Sequence, residues 1–162
     1  MRLIRILTIV VAIGAIVATH TPAAVAATPP KVIRLISVTV TSKETDRPPK
    51  GASKGDRTVG SSRLYNGDAQ FGKKAGEAVG RDQGVFVLRD KTTLYATGAA
   101  TLPGGTLKFA GVAKVEGGTF VIPVVSGTGV FLGATGSLLI PIAPPDTRIV
   151  ANVYQLRYES VA

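Results

Sequence analysis

Short segments rich in valine, isoleucine, threonine, tyrosine and phenylalanine follow one another from residue 32 to the end of the chain. Apolar and polar residues alternate in several of them, and clusters of glycine, proline and aspartate separate each segment from the next. This pattern is typical of β-strands joined by turns. It predicts about eight strands, at Val32–Ser42, Arg57–Tyr65, Glu77–Leu88, Thr93–Leu102, Thr106–Val115, Thr119–Val125, Gly133–Ile142 and Arg148–Glu159.

The connections between these strands indicate the architecture. Pro103–Gly105 and Glu116–Gly118 have the residues of tight hairpins, whereas Lys43–Gly55 is a charged loop with two prolines. Short connections favour antiparallel pairing of consecutive strands, and eight such strands can close on themselves and remove their exposed edges. We therefore predict an all-β fold, an eight-stranded antiparallel β-barrel, with a β-sandwich as the alternative.

Two of the predicted strands are apolar on both faces. Val121–Val125 is nearly unbroken, and Ser137–Ile142 contains three consecutive aliphatic residues. A barrel wall that faces water would alternate between apolar and polar residues, so we expect a long loop or a second subunit to cover part of this wall. An outer-membrane barrel would need aromatic girdles, for which five phenylalanines and four tyrosines are too few.

The first 26 residues have a different character. Arg2 and Arg5 precede an uncharged apolar stretch over residues 6–18, and Ala24–Ala26 has the small-x-small pattern of a signal peptidase site. The stretch is too short to cross a hydrocarbon core, which needs about 20 residues. We predict a cleavable signal peptide over residues 1–26, a barrel domain over residues 27–162, and a secreted protein, extracellular or in the cell envelope, with no membrane anchor after cleavage.

Cleavage would also narrow the available chemistry. The only histidine, His20, leaves with the signal peptide, and the chain contains no cysteine. We therefore predict no metal site, no cofactor and no histidine- or thiolate-based catalysis. The net charge falls from +9 to +7 because Arg2 and Arg5 are lost. The remaining basic residues are interspersed with acidic ones and lack stacking aromatics, so we expect no nucleic-acid partner.

A glycine-rich segment over residues 125–136 is the most informative motif. A glycine loop that binds phosphate leads into a helix, but here a strand follows, so the glycines indicate tight turns and close backbone packing. We interpret the segment as a structural turn in which the phenylalanine plugs one end of the interior. Its motif residues are Gly127, Gly129, Phe131, Gly133 and Gly136.

Together with Ala134, this motif resembles the turn shared by allene oxide cyclases and dirigent-like proteins. Gly55-Asp56, the turn Leu64–Asp68 and the segment Gly84–Leu88 are similar to the same family in order and spacing. The resemblance covers about residues 32–160. It implies an eight-stranded barrel, frequently trimeric, that encloses a narrow apolar cavity.

The resemblance does not extend to the residues that the plant cyclase is understood to use. Thr41 stands where the family has a first-strand glutamate, Ser62 near an asparagine and Phe86 at a cysteine, while Glu44 falls in the loop beyond. We therefore expect no allene oxide cyclisation. Any activity would be of the isomerase or cyclase type without covalent catalysis, in which the barrel holds a flexible substrate in a reactive shape.

Alternation along the strands marks a set of inward-facing side chains. A mostly apolar lining with a few hydroxyls suits a small-molecule pocket, although the same side chains could simply fill the core of so small a barrel. For the carboxylates Asp56, Glu77 and Asp82, placed at loops or strand ends, we expect a solvated structural role. The candidate lining residues are Leu35, Ser37, Thr39, Thr41, Ser62 and Phe86, of which Thr39, Thr41 and Ser62 are the candidates for orienting a ligand.

Two functions follow from these observations. One is a secreted barrel that binds a small apolar or aromatic molecule, or guides its stereochemistry as a dirigent protein or cyclase does. The alternative is a non-catalytic secreted module that binds an envelope component or assembles with itself into a homo-oligomer, a trimer by resemblance. The lining favours the first, whereas the missing histidine, cysteine and first-strand carboxylate favour the second.

Overall fold

The computed structural model describes residue 29 and residues 31–90, 93–144 and 147–158. Consecutive strands pair in antiparallel fashion, and the first also pairs with the last, so the sheet closes on itself. The predicted eight-stranded antiparallel barrel is thereby confirmed, while the predicted signal peptide lies outside the described residues. The strands are β1 (Val32–Thr45), β2 (Arg57–Asn66), β3 (Ala78–Leu88), β4 (Leu94–Leu102), β5 (Gly105–Glu116), β6 (Thr119–Gly127), β7 (Ala134–Pro141) and β8 (Ile149–Tyr158), with one short 3-10 turn at Gly129–Phe131.

Turn chemistry explains where the hairpins fall. Gly117 and Gly118, between β5 and β6, both have positive φ angles, 53° and 76°, as a two-residue hairpin turn requires. Strand β1 runs three residues beyond its predicted end, because Lys43–Thr45 pairs with the start of β2, where Thr45 lies opposite Arg57. The predicted loop is therefore shorter than the charge pattern indicates. Within the described residues, no helix has the length and apolarity needed to span a bilayer.

One end of the barrel is filled. Phe131 is fully buried and meets the ring of Phe71 edge-on, with 6.5 Å between the ring centroids. Phe71 belongs to the connection between β2 and β3, which Asn66 holds in place by donating from its buried Nδ2 to the carbonyl oxygens of Gln70 and Lys73, at 2.8 and 3.2 Å. Phe131 and Phe71 thus close the end of the barrel that contains Leu35. The space between this closed end and the opposite end is left for a cavity.

Part of the outer wall formed by β6, β7 and β8 is apolar. Leu138 and Tyr154 point into the barrel and are buried, so their neighbours Leu139 and Val153 point outward. Leu139 lies directly opposite Val121 on one side and Val153 on the other. These three residues form an apolar outer patch, and Val125, further along β6, is 47% exposed.

Candidate functional site: the barrel interior

The interior contains two adjoining chambers. The inner chamber, about 200 Å³, has serine, threonine, aspartate and asparagine side chains on one side and Phe109, Leu138 and Ile140 on the other. The outer chamber, about 220 Å³, is almost wholly apolar, and its walls include Leu94 and Phe120. The two chambers share Thr58, Phe86 and Ile140.

A row of glycines makes room for the inner chamber. Gly60, Gly84 and Gly98 lie side by side on β2, β3 and β4. A Cβ atom on Gly98 would lie 2.4 Å from the Phe109 ring, and one on Gly84 would lie 3.2 Å from the Phe86 ring and 3.3 Å from the Phe109 ring. Two aromatic rings therefore lie close to the inner face of the wall, which larger side chains in this row would not permit.

Asp82 is the ionisable group of the inner chamber. It lies in the middle of β3, directly opposite Ser62, and accepts hydrogen bonds from the side chain and backbone of Ser62 and from the side chain of Ser37. Burial raises the pKa of the Asp82 carboxyl above its ordinary value, and the hydrogen bonds act in the opposite direction.

The expectation that Asp82 lies at a strand end in a solvated role is therefore wrong. Asp82 lies within the predicted strand Glu77–Leu88, and in β3 it shares the inner face with Gly84 and Phe86. Asp56 and Glu77 do have structural roles. The Asp56 carboxylate accepts hydrogen bonds from the backbone N–H of Arg47 at 2.8 Å and of Ser53 at 2.7 Å, and Glu77 accepts one from the backbone of Lys74.

Asn152 faces the same chamber from β8. It is only 5% exposed, and its side-chain carbonyl oxygen Oδ1 has no hydrogen-bond partner among the described residues. The next inward residue of the strand, Tyr154, is fully buried; burial raises the pKa of its hydroxyl, and the nearby charge of Asp82 raises it further. Asn152 is absent from the predicted lining. Alternation could have found it, because it lies two residues before Tyr154 on the inward face of β8.

The structure brings most of the predicted lining residues together. Ser37, Thr39, Ser62 and Phe86 all line the inner chamber. Leu35 is buried, but in the filled end of the barrel rather than against the cavity.

Thr41 does not occupy the inward position that regular alternation along β1 predicts. The register of β1 shifts between Thr39 and Thr41, so that Thr39 lies opposite Ser62 and Thr41 lies opposite Ser61. Ser61 and Ser62 point to opposite faces of β2, and Thr41 accordingly shares a face with Ser61. Its hydroxyl is hydrogen-bonded to that of Ser61 at 2.7 Å, in an exposed position at the edge of the chamber.

The glycines of the turn motif lie where no side chain fits. A Cβ atom on Gly127 would lie 2.1 Å from the carbonyl oxygen of Phe131, and one on Gly136 would lie 2.0 Å from that of Gln155. Gly129 and Gly133 have φ angles of 61° and 75°, which side chains rarely adopt. The described residues contain no cluster of histidine, cysteine, aspartate and glutamate that could hold a metal ion.

Comparisons with known proteins support the fold. No protein-family model and no curated protein matches the sequence. Among solved structures, a pyocyanin demethylase is 20% identical, with a TM-score of 0.63 over 78% of this chain and 99% of that one. An exo-specific intermolecular Diels-Alderase is 19% identical, with a TM-score of 0.60 over 77% and 94%. A pterocarpan synthase dirigent protein is 15% identical, with a TM-score of 0.57 over 81% and 87%. The chain thus has the allene oxide cyclase/dirigent-like barrel fold that its turn motif indicates.

Proposed function

We propose that this barrel binds a small apolar or aromatic molecule in its interior and either carries it or guides its stereochemistry. The proposal depends on one observation above all: two adjoining chambers whose polar groups converge at the inner end and whose apolar walls continue outward. Such a cavity fixes the orientation of a ligand through a few polar contacts and supplies affinity through apolar burial. The similar barrels named a Diels-Alderase and a dirigent protein support a guiding role.

Guidance would depend on shape rather than on a covalent step. Among the described residues that line the inner chamber, Asp82 is the only one that exchanges a proton in the ordinary pH range. Ser37 and Ser62 hold its carboxyl group in place, so a ligand would meet a fixed polar end and an adaptable apolar wall. An enzyme can lower the activation barrier of a reaction substantially by holding a flexible molecule in one reactive geometry, and this needs no nucleophile.

Native mass spectrometry of protein purified from its native culture tests this proposal. We expect a small molecule to accompany the protein, and we expect the protein to bind a neutral aromatic probe, tert-butylbenzene, added to ligand-free material. Gly84→Ala adds a methyl group between the rings of Phe86 and Phe109 and should weaken that binding. Val85→Ile adds a similar volume to the other face of β3 and should not. Wild-type protein that carries no molecule and binds no probe would overturn the proposal.

A second function, assembly with itself, is favoured by the apolar outer patch of Val121, Leu139 and Val153. Val121, Leu139 and Val153 are half-buried, and apolar side chains that lie together on an outer β-wall can form a protein contact. We also propose that the protein is exported. This proposal depends on the predicted signal peptide over residues 1–26. N-terminal sequencing of the protein recovered from culture medium or cell envelope would test it.

A further inference from the structure

The interior and the surface of this protein differ in the sign of their charge. The whole chain has a net charge of +9. Among the described residues that line the inner chamber, by contrast, there is no lysine or arginine, and the one charged residue is Asp82. Its exposed neighbour Arg81 points to the other face of the strand. A molecule that enters the chamber therefore meets a negative group and no positive one.

Two side chains of the chamber offer hydrogen-bond acceptors to a ligand. The Asp82 carboxylate accepts, and the buried Oδ1 of Asn152 is an acceptor without a partner in the described residues. Ser37 and Ser62 direct side-chain hydrogen bonds to Asp82. These two acceptors would bind a donor on a ligand, and Asp82 would repel a carboxylate ligand.

Two aromatic rings border the same space. Phe86 and Phe109 line the inner chamber together with Asp82. The face of an aromatic ring attracts a cation through its quadrupole, and a desolvated site strengthens that attraction. Asp82 is partly buried and forms no ion pair within the described residues, although Arg63 and Arg81 line a neighbouring cavity with it. A cation bound in the inner chamber would supply such a partner.

We propose that the ligand of this interior is an organic cation, a quaternary or protonated amine on an apolar or aromatic body, with Asp82 as its counter-ion. The body would occupy the outer chamber, against Phe120 and Ile140. This inference rests on the proposed function, because it concerns the same cavity. It adds the chemical class of the ligand and the residue that selects it.

A pair of isosteric probes tests the inference. Trimethylphenylammonium and tert-butylbenzene have the same shape, and only the first carries a charge. We expect the wild-type protein at about pH 7 to bind the cation about tenfold more tightly, as measured by titration calorimetry or by NMR. Asp82→Asn should remove most of the preference, leaving only the contribution of the aromatic rings, and should retain binding of tert-butylbenzene. Glu116→Gln, which removes an exposed acidic charge in the β5–β6 hairpin, should leave the preference unchanged.

The pH dependence of the wild-type protein provides a test that needs no variant. Affinity for the cation should fall as pH falls and Asp82 takes up a proton, whereas affinity for tert-butylbenzene should stay constant. Tyr154 also lies close to Asp82, and its raised pKa keeps it neutral in this range. Arg63 and Arg81 line a neighbouring cavity together with Asp82. Equal affinity for the two probes at all pH values would overturn the cation inference alone. Failure of both probes to bind would overturn the proposed function as well. A preference that is undiminished in Asp82→Asn would overturn the assignment of the counter-ion.

Discussion

Folding makes ionisation of the Asp82 carboxyl group less favourable. Its carboxyl group is desolvated inside the barrel, and this raises its pKa above the ordinary value of 3.8 despite the hydrogen bonds from Ser62 and Ser37. The folded protein therefore binds this proton more tightly than the unfolded chain does. The resulting stability is complete below about pH 3.8 and is lost as pH rises through the folded-state pKa.

Asp82→Asn keeps the size of the side chain and removes the charge. Because the desolvation penalty of the wild-type protein arises only when Asp82 is ionised, we expect the variant to have a Tm higher by a few degrees at about pH 7 and nearly unchanged at about pH 3.5. Thermal unfolding at both pH values measures this difference. A variant that is less stable than the wild type at neutral pH would show that the hydrogen bonds of the charged form outweigh its desolvation.

Gly129 combines an unusual backbone angle with a close approach. Its φ angle is 61°, and a Cβ atom there would lie 2.0 Å from the carbonyl oxygen of Gly104. We expect Gly129→Ala to lower the free energy of unfolding by about 3 kcal/mol or more, since strain and steric overlap add together. Gly117→Ala is the matched control, because Gly117 has a φ angle of 53° but no atom within 4 Å of the new Cβ. It should cost only about 1 kcal/mol, and equal losses in chemical denaturation would contradict the steric argument.

The polar residues of the site are harder to predict than its apolar ones. Asp82 stands between the polar residues Arg81 and Gln83, but counting back from the predicted lining residue Phe86 places it on the inner face. Asn152 lies in a strand that alternates clearly, and counting back from Tyr154 is enough to find it. Thr41 leaves its predicted inward position because one extra residue in β1 cannot be detected from alternation.

At the scale of single elements, β2 and β3 bring two like charges together. Arg63 and Arg81 are exposed and lie directly opposite each other on the outer wall. Like charges in such a pair are destabilising, whereas opposite charges stabilise by about 0.2–1 kcal/mol. Neither arginine has a salt-bridge partner among the described residues.

Arg81→Glu should therefore stabilise the barrel by up to about 1 kcal/mol, and the gain should shrink at high salt. The Arg63→Glu/Arg81→Glu double variant places two acidic residues opposite each other and should lose most of the gain. Chemical denaturation of the wild-type protein, both single variants and the double variant measures the coupling. Additive effects in this cycle would mean that the two side chains do not interact.

The strand boundaries follow from turn chemistry, and this explains why the fold was predictable. Glycine pairs such as Gly117–Gly118 mark hairpins because few other residues adopt their backbone angles. The end of β1 is less visible, because Lys43–Thr45 is exposed and charged and its pairing with β2 leaves no sign in the hydropathy pattern. Local sequence thus identifies the elements, and only the register reveals where each one ends.

For the whole molecule, closure of the barrel separates an acidic interior from a basic exterior. The whole chain has a net charge of +9, whereas Asp82, the one charged residue among the described residues that line the inner chamber, is acidic. Composition alone cannot show such a division, because it depends on which face each residue occupies. The apolar outer patch is also a property of the closed barrel, because β6, β7 and β8 must lie side by side to form it.

We expect this outer patch to mediate self-association. Leu139 stands between Val121 and Val153, so Leu139→Lys would place a charge at the centre of the apolar surface. Sedimentation velocity should show an oligomer for the wild-type protein and a shift towards monomer for the variant. Thr97→Lys is the matched control, because it adds the same charge to the exposed outer face of β4 and should leave the oligomer intact. A wild-type protein that sediments as a monomer at every concentration would contradict the prediction that a second subunit covers the apolar wall.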